Sequence, residues 1–63
     1  MRDTAYVRRR AAGIAAQAEG AVQAIRILIL DNKIAVEDGL QLTEMLHSIR
    51  ESALQIEVKE SNK

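Results

Sequence analysis

The sequence has no cysteine, proline, tryptophan or phenylalanine, and its one aromatic residue is Tyr6. Each absence closes off a class of protein. Without cysteine there is no disulfide framework and no thiolate metal site, which excludes the stapled scaffolds of small secreted domains. One tyrosine is too little to build a platform for stacking nucleobases. Without proline, and with only three glycines, the chain lacks the turn chemistry that an all-β fold demands. An excess of charge of one sign is also missing. Nine Lys and Arg balance nine Asp and Glu, so the formal net charge is zero, whereas dedicated nucleic-acid binders are usually basic.

What is present is alanine-rich and periodic. Eight of the ten alanines lie between Ala5 and Ala24, and alanine is the best helix former. Val7, Ala11, Ile14, Ala18, Ala21, Ile25 and Leu28 recur at alternating steps of four and three, the signature of a helical heptad seam. The spacing predicts a helix over about residues 4–30, capped by Asp3 or Thr4. A second helix is predicted over about 36–58, with a seam of Leu42, Leu46, Ile49, Ala53 and Ile56, extended by Gly39 and widened by Met45. Residues 59–63 read as a frayed tail. Between the helices, residues 31–35 form a short loop in which Asn32 tolerates the left-handed conformation that closes a helix. Residues 25–36 also alternate in the manner of a β-hairpin, but the unbroken seam to Leu28 outweighs that reading, and an isolated hairpin is marginal in water.

The fold class expected is therefore all-α: one domain, an antiparallel two-helix hairpin. Folding the chain about Lys33 brings Ala11 level with Ile56, Ala18 with Ile49, Ala21 with Leu46 and Leu28 with Gly39. Small residues then face large ones at each layer. A chain of 63 residues buries only about 60% of its unfolded surface, and without staple or metal the usual remedy is oligomerisation. A second stripe, Ala15, Val22 and Ile29, adjoins the first seam, and Gly13, Gly20 and Ile27 form a third. These surplus stripes predict a homodimer of hairpins, closing into a four-helix bundle.

Candidate sites are few. The run Arg8, Arg9 and Arg10 is the loudest charge feature. Residues 1–10 hold four arginines against one aspartate, and residues 31–63 hold seven acids against four bases. The arginines can neutralise phosphates of RNA or DNA, or they can lie beside Glu51, Glu57 and Glu60 in the hairpin; the second reading is preferred because the chain is neutral overall. Glu44 and His47 stand at a spacing that dimetal bundles use, with Glu19 and Glu51 near their level. They fall on the side of the second helix opposite its seam, so no metal is expected. Ser48 beside His47 diverges from it by about 100° on a helix and makes no nucleophile–base pair. No glycine-rich phosphate loop occurs. The protein is expected not to be an enzyme, with no catalytic residue and no cofactor.

The remaining feature is apolar surface. Ile27, Leu30, Ile34 and Leu40 gather near the loop, and Leu54 and Val58 follow along the second helix. With Ala15, Val22 and Ile29, these are the candidate residues for the dimer or for another protein partner, since exposed apolar clusters mark interaction sites. Gln17, Glu19, Gln23 and Arg26 interrupt the apolar stretch of the first helix, so no membrane segment is expected. The function expected from all of this is a small cytoplasmic interaction module of the inhibitor, adaptor or chaperone type, suited to a phage or plasmid origin, with a nucleic-acid-binding regulatory dimer as the alternative.

Overall fold

The computed structural model describes residues 3–61, and two helices account for nearly all of them: α1 over Thr4–Leu30 and α2 over Val36–Ser61. The start of α1 is fixed by Asp3, whose carboxylate accepts the backbone N–H of Tyr6 at 3.0 Å. This satisfies one of the donors that a helix N-terminus leaves unpaired. Its end is fixed by Asn32, the non-glycine residue with a positive φ, 57°. The backbone N–H of Lys33 donates to the Leu28 carbonyl at 2.9 Å, and that of Asn32 to Ile29 at 3.1 Å. These two bonds are the paired closure of a helix that ends in a left-handed residue. The alternative β-hairpin at 25–36 does not form, because α1 runs through to Leu30 without a break. α2 opens with Glu37 and Asp38 in its first turn, where acids are favoured by the helix dipole. It also runs further than expected. Lys59, Glu60 and Ser61 continue the helix rather than fraying, and Ser61 donates to the Glu57 carbonyl at 2.9 Å. Residues 62 and 63 of the expected tail lie outside the described residues.

The helices pack antiparallel along their length, and the molecule measures 48 × 14 × 14 Å. Each helix is turned by about 50° relative to the expected seam, which exchanges one flanking stripe for its neighbour and keeps the central positions. On α1 the buried residues are Ala11, Ala15, Ala18, Val22 and Ile25, with Ile29 half-buried, while Ile14 and Leu28 are exposed. On α2 the residues that face α1 are Gly39, Leu46, Ala53, Glu60 and the half-buried Thr43, Arg50 and Glu57, while Leu42, Ile49 and Ile56 are exposed. Ala11, Ala18, Ile25, Gly39 and Ala53, shared by both readings, are buried. The level is shifted as well: Gly39 lies beneath Ile29 rather than Leu28, and Glu19 reaches Arg50.

Gly39 shows why the contact is close at the loop end. A Cβ built there would collide with the Ile29 side chain, whose Cγ1 stands 2.7 Å away. Gly13 and Gly20 are the opposite case. Both are exposed, and a Cβ on either meets nothing within 4 Å. The expectation that another helix approaches along them finds no counterpart within the hairpin. Three glycines in one fold therefore predict two opposite outcomes. Gly20→Ala should raise the stability of the hairpin by up to about 1 kcal/mol, through helix propensity alone. Gly39→Ala should lower it by about 1 kcal/mol, because overpacking outweighs propensity. Thermal unfolding followed by circular dichroism decides both, and a Gly39→Ala variant that melts higher than the parent would contradict the packing described.

Candidate functional site: the open apolar groove

The residues that the rotation leaves outside are the most apolar of the sequence pattern. Ile14 and Leu28 on α1 are 46% and 40% exposed; Leu42, Ile49 and Ile56 on α2 are 45%, 48% and 45% exposed. All five fall on one side of the hairpin. In an antiparallel pair, residues displaced in the same rotational sense from the contact line lie on the same face, and here both displaced sets point that way. A groove runs between the helices on this face, lined by Ile14, Ile49, Ala53 and Ile56 with Ser48 and Ser52 at its edge. Met45, 55% exposed, extends it towards the loop.

The opposite face is polar. Glu19, Gln23, Arg26, His47 and Arg50 surround a groove whose floor is Val22. Arg50 Nε lies 3.4 Å from a Glu19 carboxylate oxygen, and both side chains keep substantial contact with solvent, so the pair contributes well under 1 kcal/mol. Its value lies in fixing the level of one helix against the other. Thr43 turns its hydroxyl back onto the Gly39 carbonyl at 2.8 Å, which satisfies a polar group at a half-buried position. These polar seam residues were absent from the expected contact line. Arg50 and Glu57 sit there because long side chains lay their stems along apolar surface and keep their heads in water.

The candidate interaction residues thus divide. Ala15 and Val22 are buried between α1 and α2, and Ile29 is half-buried against Gly39. They are consumed by the hairpin itself and are not free for a second chain, which corrects the assignment of this stripe to the dimer. Ile34 is half-buried beside Gly39, and Leu54 is half-buried. Ile27, Leu30 and Leu40 remain exposed, at 57%, 75% and 58%. The residues that sequence reasoning missed as surface are Ile14, Leu28, Leu42, Ile49 and Ile56. The heptad signal found them but placed them inside.

Arg8 and Arg9 line a shallow groove with Ala12, Glu57 and Ser61. Glu57 is therefore close, as expected, yet Arg8, Arg9 and Arg10 make no ion pair within 4 Å with any described residue. The Arg10 guanidinium lies 5.7 Å from the centre of the Tyr6 ring, within cation–π range. His47 also differs from expectation, whereas Glu44 is exposed. His47 lies beside α1, in the groove with Glu19 and Gln23, rather than opposite the seam. Among the described residues, no group of three His, Cys, Asp or Glu gathers as a metal site would require. By length and composition α1 does pass as a candidate membrane span, with a mean hydropathy of 1.3 over 18 residues, of which 22% are buried in the hairpin. That differs from the sequence expectation; the aliphatic run at residues 27–30, with Ile14, Val22 and Ile25, outweighs the interrupting polar residues. Compared with protein-family models, curated proteins and solved structures, the chain matches none.

Proposed function

We propose that the protein is a non-enzymatic helical interaction module that works as a homodimer, two hairpins closing their apolar grooves on each other as a four-helix bundle. One observation carries this reading: the hairpin's buried apolar residues are Ala11, Ala15, Ala18, Val22, Ile25 and Ala53, four of the six being alanine, while Ile14, Leu28, Leu42, Ile49 and Ile56 stand open on one face. Burial stabilises at roughly 25 cal/mol per Å² of apolar surface, so an alanine seam contributes little and the open isoleucines and leucines hold the larger share. A second copy supplies the partner surface that such a small chain lacks.

Closing that groove leaves a separate apolar strip outside the bundle. Leu30 and Leu40 flank the loop, and Val58 with Leu54 borders a shallow groove further along α2. We assign to this strip the capture of another protein, in the manner of an inhibitor, adaptor or chaperone. α1 is read as a bundle helix in a cytoplasmic protein rather than as a membrane span, because two of its exposed large side chains, Ile14 and Leu28, line up with those of α2 and its Glu19 engages Arg50.

Sedimentation equilibrium at tens of micromolar should give the dimer mass, and Ile49→Asp should shift it to monomer, with loss of helicity on dilution. A well-folded wild-type monomer at that concentration would defeat the proposal. Leu40→Ser with Leu54→Ser should leave the dimer mass unchanged and abolish nuclease-resistant protein partners captured from the native host.

The second reading, a nucleic-acid-binding dimer, is favoured by one observation: Arg8, Arg9 and Arg10 are free of ion pairs with the described residues. It predicts micromolar RNA or DNA binding that weakens steeply with salt. Replacing the three arginines by Gln should then abolish binding and flatten the salt slope by up to about 0.9 per lost contact. Absence of binding by the unmodified protein at low salt would dispose of this alternative.

A further inference from the structure

The open face is charged at its two ends, and with opposite signs. On α1 the line runs through the exposed Arg10, Ile14, Leu28 and Asp31 with the half-buried Ala21 at its middle; on α2 it runs Asp38, Leu42, Ile49, Ile56 and Lys59, all exposed. The two lines have identical spacing, an apolar middle and a charge at each tip. Arg10 borders the same hollow as Ile14 and Gln17, which puts it on this face. Lys59 continues the α2 line, and its long stem, now beside Val58, can swing to either flank. The Glu19–Arg50 pair sets the level of one helix against the other. Nine residues outward from it, Arg10 comes level with Lys59; twelve residues the other way, Asp31 comes level with Asp38. Arg10 and Lys59 therefore flank the open end of the hairpin at one level, and Asp31 and Asp38 flank the loop end at another.

Two grooves can be closed face to face in two symmetric ways. If the loops lie at the same end, α1 of one copy covers α2 of the other. Arg10 then meets the partner's Lys59, and Asp31 meets the partner's Asp38, so every tip faces a like charge. If the loops lie at opposite ends, α1 covers α1 and α2 covers α2, each pair antiparallel. Ile14 then meets the partner's Leu28, Leu42 meets the partner's Ile56, and every tip faces an opposite charge. Like-charge juxtaposition is a strong discriminator between arrangements of otherwise equal apolar contact.

We infer that the occupant of the groove is a second copy of this chain docked head to tail, with Ala21 and Ile49 at the two-fold axis, Arg10 against the partner's Asp31 and Asp38 against the partner's Lys59. This rests on the dimer reading above and specifies its symmetry. The face matches an isologous contact, in which one patch is complementary to itself. The hairpin that carries it measures 48 Å by 14 Å, so a whole side of it is of the order that a standard interface occupies on each partner, about 800 Å².

The test uses the whole chain. Because the sequence holds no cysteine, Lys33→Cys in the exposed loop gives one spin label per copy, and Ala35→Cys provides an independent second position. Pulsed dipolar spectroscopy should return a label separation near the length of α1, about 40 Å or more. Raising sodium chloride tenfold should weaken the dimer severalfold, since the charged tips are exposed and screened. A separation of about 20 Å or less at dimer mass would overturn the head-to-tail arrangement and leave the dimer standing. Tightening of the dimer with salt would overturn it equally, because that is the response of like charges. Monomer mass by light scattering, with no dipolar coupling, would overturn both.

Discussion

The constraint on which the rest of this structure depends is the thinness of the contact between its two helices. α1 meets α2 through alanines at positions 11, 15 and 18, and α2 answers with Gly39 and Ala53. Small residues let backbones come close and hold level, but they remove little apolar surface from water. Nor does any large side chain become fully buried within the described hairpin. The cohesion of the molecule therefore comes from long helices with strong intrinsic propensity and firm caps at Asp3 and Asn32, rather than from a deep core. Everything distinctive about the surface follows. With the slim stripe turned inward, the bulky one faces out.

That consequence explains how the sequence could be read correctly at one level and wrongly at the next. Periods of four and three gave both helices, with the start and end of α1 as expected, because periodicity and capping are local signals. They could not give the rotation of each helix about its axis. The stripes 14, 21, 28 and 15, 22, 29 are neighbours, and both flank the shared positions 11, 18 and 25. Choosing the more apolar stripe as the seam assumes that the strongest apolar line faces the nearest helix in the same chain. In this hairpin that assumption fails. The more apolar line stands open to solvent, and the line between the two helices tolerates Thr43, Arg50 and Glu57 at its flank.

The same distinction bears on the candidate site. Ala15, Val22 and Ile29 looked like surplus surface only because Ile14 and Leu28 had been assigned to the interior. Exchanging the two stripes keeps the number of apolar faces on α1 and reverses their roles. Leu30 and Leu40 were legible as surface from the start, because they sit beyond both stripes and next to the loop, where exchanging the stripes does not bring them inside. The three arginines were legible as a cluster, but their relation to acids was not. A helical hairpin brings Glu57 near Arg8 and Arg9, yet nearness of long exposed side chains does not make an ion pair, and the entropy of holding both ends opposes it.

Charge and apolarity also divide the work along the open face. The apolar middle would drive association whichever way two copies met, since burial is non-directional. Orientation has to come from elsewhere. Steric detail helps little, because Leu42, Ile49 and Ile56 repeat every seven residues, and a shift by one heptad presents nearly the same surface. The tips break that degeneracy. Arg10 and Lys59 flank one end, Asp31 and Asp38 the other, and a slip of one heptad between two copies would part the tip pairs, carrying one charge of each pair onto an apolar layer and the other past the partner's line. Four exposed charges that add little to stability can therefore fix both register and direction, which is the role charged flanking positions play in helical assemblies generally.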